Sequence, residues 1–231
     1  MRRLAVLLVL PLVACAPRTS RSRMWAHYQR VGAIQSAVVA GDLHIAQAAA
    51  YWVARNRPTE NLPEHAGPYA ESMRAAASAV ANAPSLDEAA IATARMGAAC
   101  GACHTALQRG PRFTSGPNAP APSDTSVADQ MTLHLWVLAR MWDGLTGPSD
   151  GSWTHGALAL NATPRYQSHI TRVVRERAIG DSLARRLYVL GQQAVMAGPG
   201  DRVVIYGELL GTCARCHQHY RVRLPRTSAS G

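Results

Sequence analysis

Two short stretches restrict this chain more than anything else in it: Cys100-Gly101-Ala102-Cys103-His104 and Cys213-Ala214-Arg215-Cys216-His217. Both read C-x-x-C-H, the pattern of covalent c-type haem attachment. Residues at i, i+3 and i+4 of a helix share one face. Cys100 and Cys103, and likewise Cys213 and Cys216, can then reach the two vinyl groups of a haem as thioethers. His104 and His217 come to lie beneath the porphyrin plane, aimed at the iron. The spacing predicts two helices and two covalently attached haem c groups. Paired cysteines also serve as structural disulfides, thioredoxin-like redox pairs or halves of zinc sites. A histidine directly after the second cysteine, twice, weighs against all three.

The chain has five cysteines, and the one outside the motifs is Cys15. It ends an opening that runs Met1-Arg2-Arg3, then an apolar stretch from Leu4 to Val13. A basic start and a short apolar run predict an export signal over residues 1–14, too short to span a bilayer as a mature helix. Leu12-Val13-Ala14-Cys15 resembles the bacterial lipobox, which makes Cys15 a candidate for lipidation. The plainer alternative is an ordinary secretory signal with an incidental cysteine. Export suits the motifs, because c-type haem is attached on the periplasmic side. The expected location is the bacterial cell envelope, facing the periplasm and lipid-anchored to the inner or outer membrane.

The net charge is +10, and all 24 basic side chains are arginine. Loss of Arg2 and Arg3 with the signal lowers the charge to about +8, and four haem propionates roughly halve that. The remaining balance suits steering toward an acidic partner surface. No basic run is interleaved with aromatics, so nucleic acid is not an expected partner.

Residues 15–23 read as a polar tether. Apolar periodicity starts at Met24 and runs to about residue 110. Residues 111–128, with Gly116-Pro117-Asn118-Ala119-Pro120-Ala121-Pro122, read as a Pro/Ser-rich linker. Periodicity returns over 129–224, and 225–231 read as a tail. The two regions repeat each other. Met24-Trp25-Ala26-His27-Tyr28 matches Met131-Thr132-Leu133-His134-Leu135, and each region ends on its C-x-x-C-H. The separation from Met to the first motif Cys is 76 residues in one copy and 82 in the other. This is a tandem duplication of a unit of about 90–100 residues.

Within each copy the pattern is helical, with no β-alternating run. In the first copy, a helix through Val31–Val39 stops at Gly41-Asp42, a second covers Leu43–Asn56, and a third Tyr69–Asn82. A fourth opens after an N-cap at Ser85 and carries the motif. The second copy offers Met131–Thr146, Gly151–Ala162, Tyr166–Ala197 divided near Gly180, and Asp201–Val222. The expected fold is all-α: two tandem four-helix-bundle haem domains joined by the linker.

Only 14 residues follow His217, so a distal iron ligand is expected from upstream helices or the other copy. With C-x-x-C-H on the last of four helices, each copy resembles the cytochrome c-prime family, the class II cytochromes c. The likeness covers about 24–109 and 129–223. It is specific at Cys100, Cys103, His104, Cys213, Cys216 and His217 and general elsewhere. The resemblance implies a bundle whose first helix lies across the distal haem face. Some members place a Met there, and others leave the iron five-coordinate. The chain departs from the family in its duplication and in its short span between first helix and motif. Here the first helices offer His27 and His134 as distal ligand candidates, with Met24 and Met131 beside them. Core packing is the plain alternative for the methionines, and a hydrogen-bonded or surface histidine for the others. His/Met ligation carries a higher reduction potential than bis-His ligation.

His44, His65, His155, His169 and His219 have no counterpart in the other copy and read as surface or core residues, His219 lying close enough on its helix to reach a haem edge. Arg109, Arg221 and Arg223 follow the motifs and are candidate propionate partners or solvated charges. Trp25, Trp136 and Trp142 read as bundle packing, where an aromatic near haem also shortens a tunnelling path.

The expected function is electron transfer by a dihaem cytochrome c between redox proteins, such as other cytochromes or a membrane oxidoreductase, not catalysis. An alternative keeps an iron five-coordinate to bind nitric oxide or carbon monoxide. A peroxidase requires acid/base groups near an open iron, and no repeated acidic residue on the first helices suggests them.

Overall fold

A computed structural model describes residues 20–56, 62–111, 113, 118–121, 126–147, 149–162 and 177–222. Outside them lie the signal segment, Cys15, residues 112, 114–117 and 122–125 of the linker, His169, Arg223 and the tail. The described residues form eight α-helices: α1 Ser20–Val39, α2 Leu43–Arg55, α3 Gly67–Ala81, α4 Leu86–Leu107, α5 Val127–Thr146, α6 Asp150–Asn161, α7 Arg177–Met196 and α8 Arg202–His219. A single 3-10 turn, Glu64–Ala66, precedes α3. No strand occurs among the described residues, so the chain is all-α. None of the described helices is long and apolar enough to cross a membrane.

Local chemistry sets the helix starts. Asp42, Ser85, Ser126 and Ser149 each accept a backbone N–H three residues on, from Ile45, Glu88, Asp129 and Ser152. These caps satisfy donors that the first helical turn leaves unpaired. Asp42 and Ser149 occupy equivalent places in the two copies, as do the last residues of the first helices, Val39 and Thr146. The described α7 begins at Arg177, close to the buried Gly180, and the earlier part of the expected Tyr166–Ala197 segment lies outside the described residues. Glycine inside a helix costs about 1 kcal/mol relative to alanine, an amount that packing offsets.

Both halves contribute to one continuous buried cluster, from Val31, Ile34 and Val38 in α1 through Met96 in α4 to Met141, Tyr206 and Leu210 in α5 and α8. Its centre is the crossing of α4 and α8, the two helices that carry the motifs. A Cβ added at Gly207 would lie 2.6 Å from Ile91 Cδ1, and one at Gly211 would lie 2.9 Å from Asp87 Oδ1. Small residues let the two backbones approach closely, with Ala90 and Ala94 on the facing side. The later residue of α8 meets the earlier residue of α4, so the pair is antiparallel. The two motifs therefore sit at opposite ends of it. With Gly211 beside Asp87 and Gly207 beside Ile91, Cys100 and Cys213 lie about 22 Å apart along the axis.

On the far side, Trp153 of α6 is 1% exposed and donates from Nε1 to Ala194 O at 2.9 Å. Arg202 covers its ring at 5.2 Å and pairs with Asp150 at 2.6 Å. Trp153→Ala is expected to lower unfolding free energy by about 3–5 kcal/mol, because it leaves a cavity and removes the indole hydrogen bond to Ala194 O. Urea denaturation followed by circular dichroism checks this.

Candidate functional site

Each motif occupies the C-terminal end of its helix. In α4 the chain ends with Gln108 in the left-handed region at φ 51, so Cys100, Cys103 and His104 fall in the last turns. In α8 the corresponding residues are Cys213, Cys216 and His217. Cys213 is buried, and Cys100, Cys103 and Cys216 are partly so. Burial, and then the charge of the second motif cysteine, pushes Cys100 and Cys213 up to about 12. Burial alone raises Cys103 and Cys216. Reactive dithiol pairs work by the opposite shift, since the thiolate is the nucleophile.

The two motif histidines are held alike. His104 Nδ1 lies 2.8 Å from Thr146 O, and His217 Nδ1 lies 2.6 Å from Val39 O. A carbonyl only accepts, so each Nδ1 carries the hydrogen and each Nε2 is left with its lone pair. The acceptors are the last residues of α5 and α1. Each motif histidine is thus oriented by the first helix of the opposite half. For His217, burial lowers the pKa and the bond to Val39 raises it, with the lowering dominant, so the ring is neutral at physiological pH.

The close approach behind these bonds has a different origin in each half. In α4 the small residue is Gly101, whose added Cβ would lie 2.2 Å from Leu145 O. In α8 the equivalent residue is Ala214, and the glycine stands on the facing turn. Gly41, at φ 77, would bring a Cβ to 3.2 Å from Ala214 O and Gln218. Its left-handed backbone favours glycine, which has no Cβ to strain there.

The first-helix candidates fall in related places. Burial and then the nearby His217 lower His134 to about 4, so two neutral imidazoles share that end of the molecule. His134 keeps part of its surface exposed, while its ring is desolvated by its packing. His27 is 5% exposed, its ring 5.2 Å from that of Trp52, and its Nδ1 has no hydrogen-bond partner. Burial lowers its pKa as well. Met24 and Met131 are partly buried one turn earlier on the same helices. His44, His65, His155 and His219 are exposed, as are Arg109 and Arg221. Among the described residues, no group of three or more His, Cys, Asp and Glu side chains converges as on a bare metal ion.

Sequence reasoning did not reach the polar and aromatic cluster between the motifs. Tyr206 of α8 is fully buried, donates to Leu138 O at 3.0 Å and accepts from Gln35 Nε2. Trp142 of α5 lies with its ring centroid 5.6 Å from that of Tyr206 and donates to the Tyr28 hydroxyl. Arg140 and Asp143 form a largely buried ion pair at 2.7 Å beside them. The signal available was positional: Tyr206 stands two helical turns before Cys213 and so shares its face.

No family model, curated protein or solved structure matches the chain.

Proposed function

We propose that the chain is an exported dihaem c-type cytochrome that carries electrons between redox proteins. One observation carries this reading: both C-x-x-C-H histidines donate from Nδ1 to equivalent carbonyls, Thr146 O and Val39 O, leaving Nε2 free. An axial imidazole is normally fixed in this way by a hydrogen bond on its other nitrogen. The thiols at i and i+3 supply the covalent tether from the same helix face. Their raised pKa values speak against a thioredoxin-like pair.

In this reading Cys100 and Cys103 hold one haem with His104 as its ligand. Cys213 and Cys216 hold the other, with His217. The haems supply the one-electron chemistry, and the protein supplies orientation, partial dryness and a partner surface. The units are the copies at 24–110 and 129–224, each a four-helix haem domain of cytochrome c-prime type, joined by 111–128. His134 beside His217 favours a six-coordinate second site, hence electron transfer over capture of nitric oxide or carbon monoxide there. Cys15 is the proposed lipid attachment point, placing the haems at the periplasmic face of a membrane.

Mass spectrometry and a pyridine haemochrome assay of the mature protein test the proposal. Two haem adducts per chain are expected, and C100S/C103S is expected to carry one. Free thiols at both motifs, with no Soret band, would end the reading.

A further inference from the structure

The two attachment sites lie at opposite ends of the α4–α8 pair, and the space between them is not filled by aliphatic side chains alone. Along the common axis the order is Cys100, Gly97, Trp142, Tyr206, Cys213. A Cβ on Gly97 would lie 2.5 Å from Trp142 Cζ3, which puts the indole against the turn that precedes Cys100. The Trp142 and Tyr206 rings follow at 5.6 Å, tilted by 32°. Tyr206 then shares a helix face with Cys213, seven residues on, about 10.5 Å along the axis.

We propose that Trp142 and Tyr206 form the electronic link between the two haem sites, with Tyr28 fixing the indole by accepting its N–H. The proposal rests on the dihaem reading above. It adds to that reading a route inside the protein, so that two attachment sites about 22 Å apart act as one unit rather than as two separate carriers.

The surroundings suit a bridge whose rings stay closed-shell. Trp142 is 3% exposed and Tyr206 0%, so water does not interrupt the contact. Both hydrogen-bonding groups are satisfied, Tyr206 by Leu138 O and Gln35, and Trp142 by Tyr28. Burial pushes Tyr206 well above the ordinary phenol range, keeping it protonated. One electron passes from a reduced haem to an oxidised one. No bond forms or breaks, no proton moves, and neither ring is itself oxidised. An aliphatic side chain in place of either ring leaves a weaker path of the same length.

The test uses the full-length protein with both haems bound. A photoexcited one-electron donor dye reduces one haem, and absorption then follows redistribution between the two. The parent protein is expected to show a phase independent of protein concentration. Trp142→Leu and Tyr206→Leu are each expected to slow that phase by an order of magnitude or more. Redox titration of the same variants is expected to leave both potentials near the parent's, which separates a lost path from a lost driving force. Tyr206→Phe removes the hydroxyl but keeps the ring, and is expected to retain the fast phase. Parent protein with two haems and no concentration-independent phase overturns the link, even where a leucine variant fails to fold. Leucine variants with unchanged rate and potentials overturn it too, and leave the dihaem reading standing. Protein that carries no haem overturns both.

Discussion

Gly101→Leu is expected to unfold at much lower denaturant than the parent, with a loss of about 3 kcal/mol or more. Leu145 O stands 2.2 Å from where the first side-chain atom would be placed. That neighbour is backbone in the last turn of α5, so it cannot rotate away as a side chain would. Relief requires α5 to move off α4, and Thr146, the next residue, holds His104. In the proposed dihaem protein the same substitution is therefore expected to disturb the absorption of the first haem while sparing the second. Gly32 and Gly151 serve as controls, since nothing lies within 4 Å of an added Cβ at either. Gly32→Ala and Gly151→Ala are expected to change stability by no more than about 1 kcal/mol, toward greater stability, because alanine is the better helix former. Parallel urea titrations decide the matter. Equal midpoints for Gly101→Leu and the controls would mean that α4 and α5 do not cross this closely.

If the chain holds two haems as proposed, His134→Ala is expected to change one of them from low-spin to high-spin and to open it to carbon monoxide. The physical basis is the placement of His134 with His217 at one end of the molecule. Burial and then His217 hold it near 4, a neutral ring with a lone pair to offer at physiological pH. On that proposal, removing the ring would leave the second iron without its sixth ligand, and about half of the low-spin absorption would go. His27→Ala is the matching change for the first haem. His27 is buried with an unpartnered Nδ1, an arrangement that burial without a partner makes costly. Absorption spectra of single and double variants, taken with and without carbon monoxide, separate the two sites. A normal spectrum in His134→Ala, together with an altered one in Met131→Leu, would assign the ligand to the methionine instead.

The helices were largely legible in the chain itself. Turn residues and caps at Gly41-Asp42, Ser85 and Ser149 are local signals, and the helices begin and end within a few residues of them. Gly180 falls close to the start of the described α7. A repeat was suggested because first-helix residues recur at an offset of 107 and the motifs at 113. How the copies meet was not, since nothing in a repeat states whether its partner surface lies within itself or on its twin.

The motif histidines show this division best. Residue type and spacing alone place Cys100, Cys103 and His104, and their counterparts Cys213, Cys216 and His217, on single helix faces, because helical geometry links residues three and four apart. What each histidine leans on was decided only by the fold. Thr146 lies 42 residues from His104, and Val39 lies 178 residues from His217. The contact between Trp142 and Tyr206 is of the same kind, made across the antiparallel pair of α4 and α8 and the end of α5. Such partners are chosen by close approach at glycine and alanine. Their small size permits many neighbours, and only the packed chain selects one.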